Sequence, residues 1–173
     1  MPTPFPSPDG RLCGTALLRH TPPDDAPHFD WLVVLDGRVP AEEDRSVPCM
    51  RLRRRLDLAE SGMDLHAESL PPHRGLYLAL AAPRSLSGGR GLVEPIRRGE
   101  VLAVRPGQDG CTIDLRWRET RDGEGVLPET DMRVRLDGRP SDRISEIRIR
   151  VERVRSDAQG SDMPGSELGG SRR

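Results

Sequence analysis

Five Asp-Gly dipeptides punctuate this chain of 173 residues: Asp9-Gly10, Asp36-Gly37, Asp109-Gly110, Asp122-Gly123 and Asp137-Gly138. Asp-Gly readily takes the positive backbone angles of two-residue hairpin turns, so the recurrence predicts antiparallel β structure. The intervening segments 12–19, 29–35, 50–56, 76–80, 101–104, 111–117 and 132–136 alternate or cluster apolar residues as strands do. Residues 144–154 fit a strand or a helical face, and their Ile and Val content decides for strand. The nearest approach to a helical period, residues 56–65, is broken at Gly62. The expectation is an all-β fold, a single compact antiparallel β-barrel with a polar pocket over residues 11–155. A proline-rich segment, 1–10, precedes it as a flexible lead. The Ser-, Gly- and Asp-rich stretch 156–173 follows as a disordered tail, because it cannot bury enough apolar surface to offset its ordering entropy.

Charge excludes one simple class of function. The 27 basic residues, all arginine, are balanced by 28 acidic ones for a net charge of -1. A bulk electrostatic grip on nucleic acid is therefore ruled out, and only a local basic patch is left. Cys13, Cys49 and Cys111 form no CxxC pair and read as small apolar residues in a reducing compartment. No secretory segment and no apolar run of membrane-spanning length is present, so the expected location is cytoplasmic, without membrane contact and as a monomer.

Histidines carry the chemistry. In the segment from Phe29 to Leu35 the odd positions read Phe, Trp, Val, Leu, the buried face of a strand in a chain with only 3% aromatics. His28 and Asp30 then share the opposite face, roughly 6–7 Å apart. His20 ends the preceding apolar run, and the proline-rich residues 21–27 must form a loop that can return it beside His28. Two imidazoles and a carboxylate suit a divalent metal; a hydrogen-bonded polar pair is the plainer reading.

Further along, His73, Gly75 and Tyr77 share one face if residues 76–80 are a strand, with Gly75 leaving room for a ligand. An imidazole and a phenol so placed can bind or protonate a phosphate oxygen. Residues 87–91, Ser-Gly-Gly-Arg-Gly, form either a plain turn or an anion cradle carrying Arg90. The clusters Arg51, Arg53–Arg55 and Arg97-Arg98 could follow a nucleic-acid backbone or could be solvated faces. His66 has no evident partner, and no nucleophilic triad is recognisable.

In order, these pieces resemble the 3′-phosphoesterase module of bacterial DNA ligase D, in the form of a small free-standing relative. The likeness covers roughly residues 17–104, from His20 and His28-Phe29-Asp30 through His73-x-x-x-Tyr77 to the Gly-rich turn. It implies a β-barrel in which His20, His28 and Asp30 hold a divalent ion, manganese in that family. It further implies His73 and Tyr77 as catalytic contacts to the scissile phosphate, with Arg90 as a phosphate-binding candidate. The implied activity is removal of a 3′-phosphate or 3′-ribonucleoside from a DNA primer–template end, beside a DNA ligase or polymerase partner. The family's Arg two places after the Asp is Leu32 here, and its Glu two further on is Val34. These departures imply weakened catalysis, which Leu32→Arg is expected to raise. The alternative they leave is a non-catalytic module of the same fold that recognises DNA ends or a repair partner.

Overall fold

The computed structural model describes residues 14–156 apart from 39 and 142. The flexible-lead expectation for 1–10, Cys13, Asp9-Gly10 and all of the tail beyond Ser156 lie outside the described residues. Eleven strands are present among those described: β1 (Thr15–Thr21), β2 (His28–Val33), β3 (Arg45–Leu52), β4 (Asp64–Arg74), β5 (Arg84–Ser85), β6 (Leu92–Pro106), β7 (Gly110–Trp117), β8 (Thr120–Asp122), β9 (Gly125–Leu127), β10 (Thr130–Asp137) and β11 (Ser145–Ser156). Eight of them close an antiparallel barrel in the order β1-β2-β3-β4-β11-β10-β7-β6, with β6 pairing back onto β1. Closure leaves these strands no free edge to manage. The short β5 adds to β6, and β8–β9 form a separate hairpin.

Alternation along the strands divides the buried residues into two clusters. One fills the barrel: Leu17, Trp31, Val33, Met50, Leu52, Ile113, Leu115, Trp117, Val134, Ile149 and Val151 are among its members, with Phe29 and Leu35 packed against it. The odd residues of β2 thus face inward as their period of two predicts. Trp31 is fully buried, and its indole N–H donates to Thr15 Oγ1 at 2.8 Å. The opposite parity builds a second cluster on the outside of the wall, from Ala16, Leu18, Leu32, Val34, Val47, Cys49, Leu70 and Val93. Leu78, Tyr77, Leu80 and Leu86 cover it. Cys49 is an apolar filler there, its thiol pushed up in pKa by burial and by the charge of Asp30.

The covering segment corrects one sequence expectation. Residues 76–80 are not a strand. Gly75–Ala79 is a 3-10 turn that follows β4, tied to the preceding loop by Gly75 N–H to Asp44 O at 3.0 Å and Leu76 N–H to Glu42 O at 3.1 Å. Leu78 points into the outer cluster, so the apolar even positions serve a turn wrapped over the wall. Gly75 leaves no room for a ligand, because a Cβ there would collide with the carbonyl oxygens of Pro40 and Ala41. Two neighbouring boundaries also move. The strand expected at 50–56 is Arg45–Leu52, and the helical hint at 56–65 resolves into a 3-10 turn at Leu56–Leu58 followed by β4.

The described Asp-Gly dipeptides lie at strand connections, and at two of them the glycine takes the positive φ expected, Gly37 at +72 and Gly138 at +121. Gly110 and Gly123, in the β6–β7 and β8–β9 hairpins, are not among the glycines with positive φ, and no described Asp has one. Asp36 and Asp122 also accept hydrogen bonds from the backbone N–H two residues on, Arg38 and Glu124, at 3.0 Å each. Gly110 is needed for close approach, since a Cβ would strike the Leu136 carbonyl on β10.

The basic pair Arg97-Arg98 is corrected in part. Arg97 is buried, with Nε donating to Arg118 O at 3.0 Å, Nη2 donating to Pro128 O, and Nη1 3.7 Å from Asp57 Oδ2. Arg55 grips the same Asp57 through Nε at 3.0 Å and Nη2 at 2.7 Å. These two arginines brace the barrel and cannot serve as free contacts to a phosphate backbone.

Candidate metal centre and phosphate cleft

The register of β1 and β2 places His20 directly opposite His28, joined by the loop at 22–27. Cross-strand partners present their side chains on one face, and Asp30 shares that face two residues on. The imidazole rings meet edge to face with centroids 4.8 Å apart. His20 Nδ1 stands 3.7 Å from Asp30 Oδ2, and His28 Nε2 stands 3.4 Å from Asp30 Oδ1. One donor atom from each of the three lies within 4.8 Å of the others. His28 and Asp30 are buried because the outer cluster, rather than solvent, covers this side of β2.

His20 is oriented from outside the triad. Its Nε2 is 2.8 Å from the carbonyl oxygen of Arg90, and a carbonyl can only accept, so Nε2 carries the proton. Nδ1 is left facing Asp30, and in the neutral tautomer it presents its lone pair there. Gly91 makes this contact possible: at φ +94 it lets the Gly-rich turn press against Thr21 where a Cβ would collide. A backbone carbonyl holding the far nitrogen of an imidazole is the usual support of a metal-binding histidine.

These residues fit a divalent ion on their own geometry. Donors about 2.0–2.2 Å from an ion stand about 3–3.6 Å apart, close to the two His–Asp separations found. His28 Nε2 and Asp30 Oδ1 are also buried without a hydrogen-bond partner. Such orphaned groups cost about 1–3 kcal/mol each, more when charged, and a cation between them removes that cost. Two imidazoles and one carboxylate leave coordination positions open for water or substrate.

The triad opens into a cleft of about 620 Å³ whose lining includes His20, Asp30, Arg51, His73, Tyr77 and Arg90. His73, at the end of β4, and Tyr77, in the 3-10 turn, meet there with ring centroids 5.9 Å apart. A bend in the chain brings them together, not the shared strand face expected. His73 Nδ1 lies 3.0 Å from Pro71 O and so donates to it, leaving Nε2 as the ring atom free to exchange a proton. Arg90 reaches the cleft, but its guanidinium folds back onto Ser87, with Nε to O at 2.9 Å and Nη2 to Oγ at 3.3 Å. What the Gly-rich turn presents to the triad is a carbonyl rather than a cradle of amides. His66, for which the sequence offered no partner, stays apart on an exposed position of β4.

Sequence reasoning did not single out Arg45, Arg74 and Arg84, which also line the cleft. Arg45 and Arg74 are register partners on β3 and β4, and only the pairing of distant strands reveals that. The position of Leu32 is a further correction. It is fully buried in the outer cluster, so an arginine there would enter apolar packing. Comparison with protein-family models, with curated proteins and with solved structures finds no match to this chain.

Proposed function

We propose that this chain is a metal-dependent phosphoesterase that processes the 3′ end of DNA, removing a terminal phosphate or ribonucleoside. The observation that carries the reading is the triad of His20, His28 and Asp30. Its buried donors lack partners and it opens directly into an arginine-lined cleft that also holds His73 and Tyr77. Metal donors, a proton-exchanging imidazole and cationic groups in one cleft are the parts a phosphoester hydrolase needs.

His20, His28 and Asp30 would hold a divalent ion, manganese by the resemblance, which when bound supplies Lewis acidity to a phosphoryl oxygen. As water adds to phosphorus, His73 would donate a proton through Nε2 to the leaving oxygen or hold charge on the non-bridging oxygens. Tyr77 donates its hydroxyl to the same phosphate, and the His73–Tyr77 ring contact limits the freedom of both. The DNA strand would lie against the cleft arginines, with a DNA ligase or polymerase as the partner that uses the resulting 3′-hydroxyl.

A second reading is favoured by one observation: Leu32 and Val34, where the resembled family carries Arg and Glu, are buried in the outer cluster. On that reading the cleft binds a DNA end or a repair partner without hydrolysing it. The separating experiment is phosphate release from a 3′-phosphorylated primer–template with added manganese. The phosphoesterase reading expects release that His28→Ala and His73→Ala abolish. Metal binding with no release selects the binding module.

A further inference from the structure

The burial of Leu32 leaves the cleft without a guanidinium on the strand that carries Asp30, so one must come from a neighbouring strand. We infer that Arg51, on β3, is the group that grips the phosphoryl oxygens beside the triad; this rests on the phosphoester reading above. Arg51 is the register partner of Asp30, which puts the two side chains on the same face of adjacent strands. Their Cβ atoms are then about 4.5–5.5 Å apart. Arg51 lines the same cleft as Asp30, His73 and Tyr77.

The donor pattern of Arg51 is incomplete in the way a waiting anion site requires. Its Nε is buried and without an acceptor. Its Nη1 lies 3.5 Å from Glu68 Oε2, and Glu68 is its register partner on the other side, on β4. Glu68 thus occupies one edge of the guanidinium as a competing acceptor, while the Nε edge has none. A guanidinium fork matches two phosphate oxygens in a way that a single ammonium does not.

The rival arginines are less well placed. Arg90 is occupied by Ser87, and Arg74 pairs with Glu43 at 3.2 Å. Arg45 lies six residues from Arg51 along β3, about 20 Å at the strand rise. Arg84 is the register partner of Val93, which in turn partners His20, so it stands two strand spacings, about 10 Å, from the triad. Arg51 is one spacing away.

The test is titration of inorganic phosphate into the full chain, metal-free and manganese-loaded, followed by calorimetry. Arg51→Gln should weaken phosphate binding about tenfold or more, the loss expected for a hydrogen-bonded charge, while metal affinity stays at the native value. Arg51→Lys, which keeps the charge and most of the stem, should still bind several-fold more weakly than native, and it carries the test if Arg51→Gln does not fold. Glu68→Gln should tighten binding by removing a competing carboxylate. Arg84→Gln should weaken it clearly less than Arg51→Gln does. Native-like phosphate binding by folded Arg51→Gln, or a loss confined to Arg84→Gln, overturns the assignment. Arg51-dependent phosphate binding in a chain that releases no phosphate from 3′-phosphorylated DNA would refute the phosphoesterase reading and uphold Arg51. Native release rates in Arg51→Gln would do the reverse.

Discussion

On the wall formed by β7, β10 and β11, arginines meet carboxylates in close two-point contacts. Arg133 donates to Asp114 at 2.6 and 3.1 Å, and Arg116 to Asp131 at 2.6 and 3.0 Å. Asp114 takes a further bond from Arg105 at 2.6 Å, and Arg148 reaches across to Asp64 at 2.7 Å. On the wall formed by β1 to β4 the same residue types are left unsatisfied. Asp30 Oδ1, His28 Nε2 and Arg51 Nε are buried without partners, and among the described residues Arg45 and Arg84 form no ion pair. A near-neutral chain can thus tie arginines to carboxylates along one wall and still leave cationic groups around a cleft on another. Net charge hides the difference, and pairing reveals it. On the reading proposed above, the closely paired wall serves the fold and the less fully paired one a ligand.

The sharpest way to break this contrast is to alter the packing under the cleft. Leu32→Arg puts an unpaired charge into the outer cluster and should destabilise the protein on the order of 3–5 kcal/mol, read by denaturant unfolding. A gain of phosphate release without loss of stability would show that residue 32 faces the cleft after all. Next in size is Asp30→Asn. It should lower divalent-metal affinity by about a hundredfold or more, with little loss of metal-free stability, because it removes a buried charge whose Oδ1 has no hydrogen-bond donor. A metal-free Asp30→Asn protein much less stable than native would mean that the carboxylate is a structural group.

On the paired wall the effects are smaller and depend on salt and acid. Arg133→Gln should lower stability slightly at low salt, and part of that loss should vanish in high salt. The Asp114 carboxyl is lowered from 3.8 to about 2, chiefly by its hydrogen bond from Arg133. A carboxylate with a depressed folded-state pKa contributes stability above its unfolded value and loses it as pH falls toward the folded one. Native protein should therefore be more stable than Asp114→Asn at pH 7, and the two unfolding curves should converge between about pH 4 and pH 2. Curves that stay parallel to pH 2 would show that the lattice adds nothing.

Much of the candidate site was legible because it depends on short-range pattern. A period of two over Phe29 to Leu35 put His28 and Asp30 on one face, and a proline-rich loop required His20 to return beside them. What escaped was set by distant pairing. Arg51 stands beside Asp30 only through the β2–β3 register, and Arg45 beside Arg74 only through β3–β4. The alternating leucines at 76, 78 and 80 mimicked a strand because a 3-10 turn over an apolar wall also buries some positions and leaves others out. The strand β4 was obscured by Pro71 and Pro72 near its end and by charged outward positions. The Arg97-Arg98 pair looked like a surface patch because nothing local announces that Asp57, forty residues earlier, will enclose one of them.

The most direct measurement is equilibrium binding of manganese to the full metal-stripped chain, compared with His28→Ala under the same conditions. The account predicts one tightly held ion per native chain, and loss of that ion in His28→Ala with the fold retained by circular dichroism. A native chain that binds no divalent ion, or a His28→Ala chain that binds it as well as native, would contradict it.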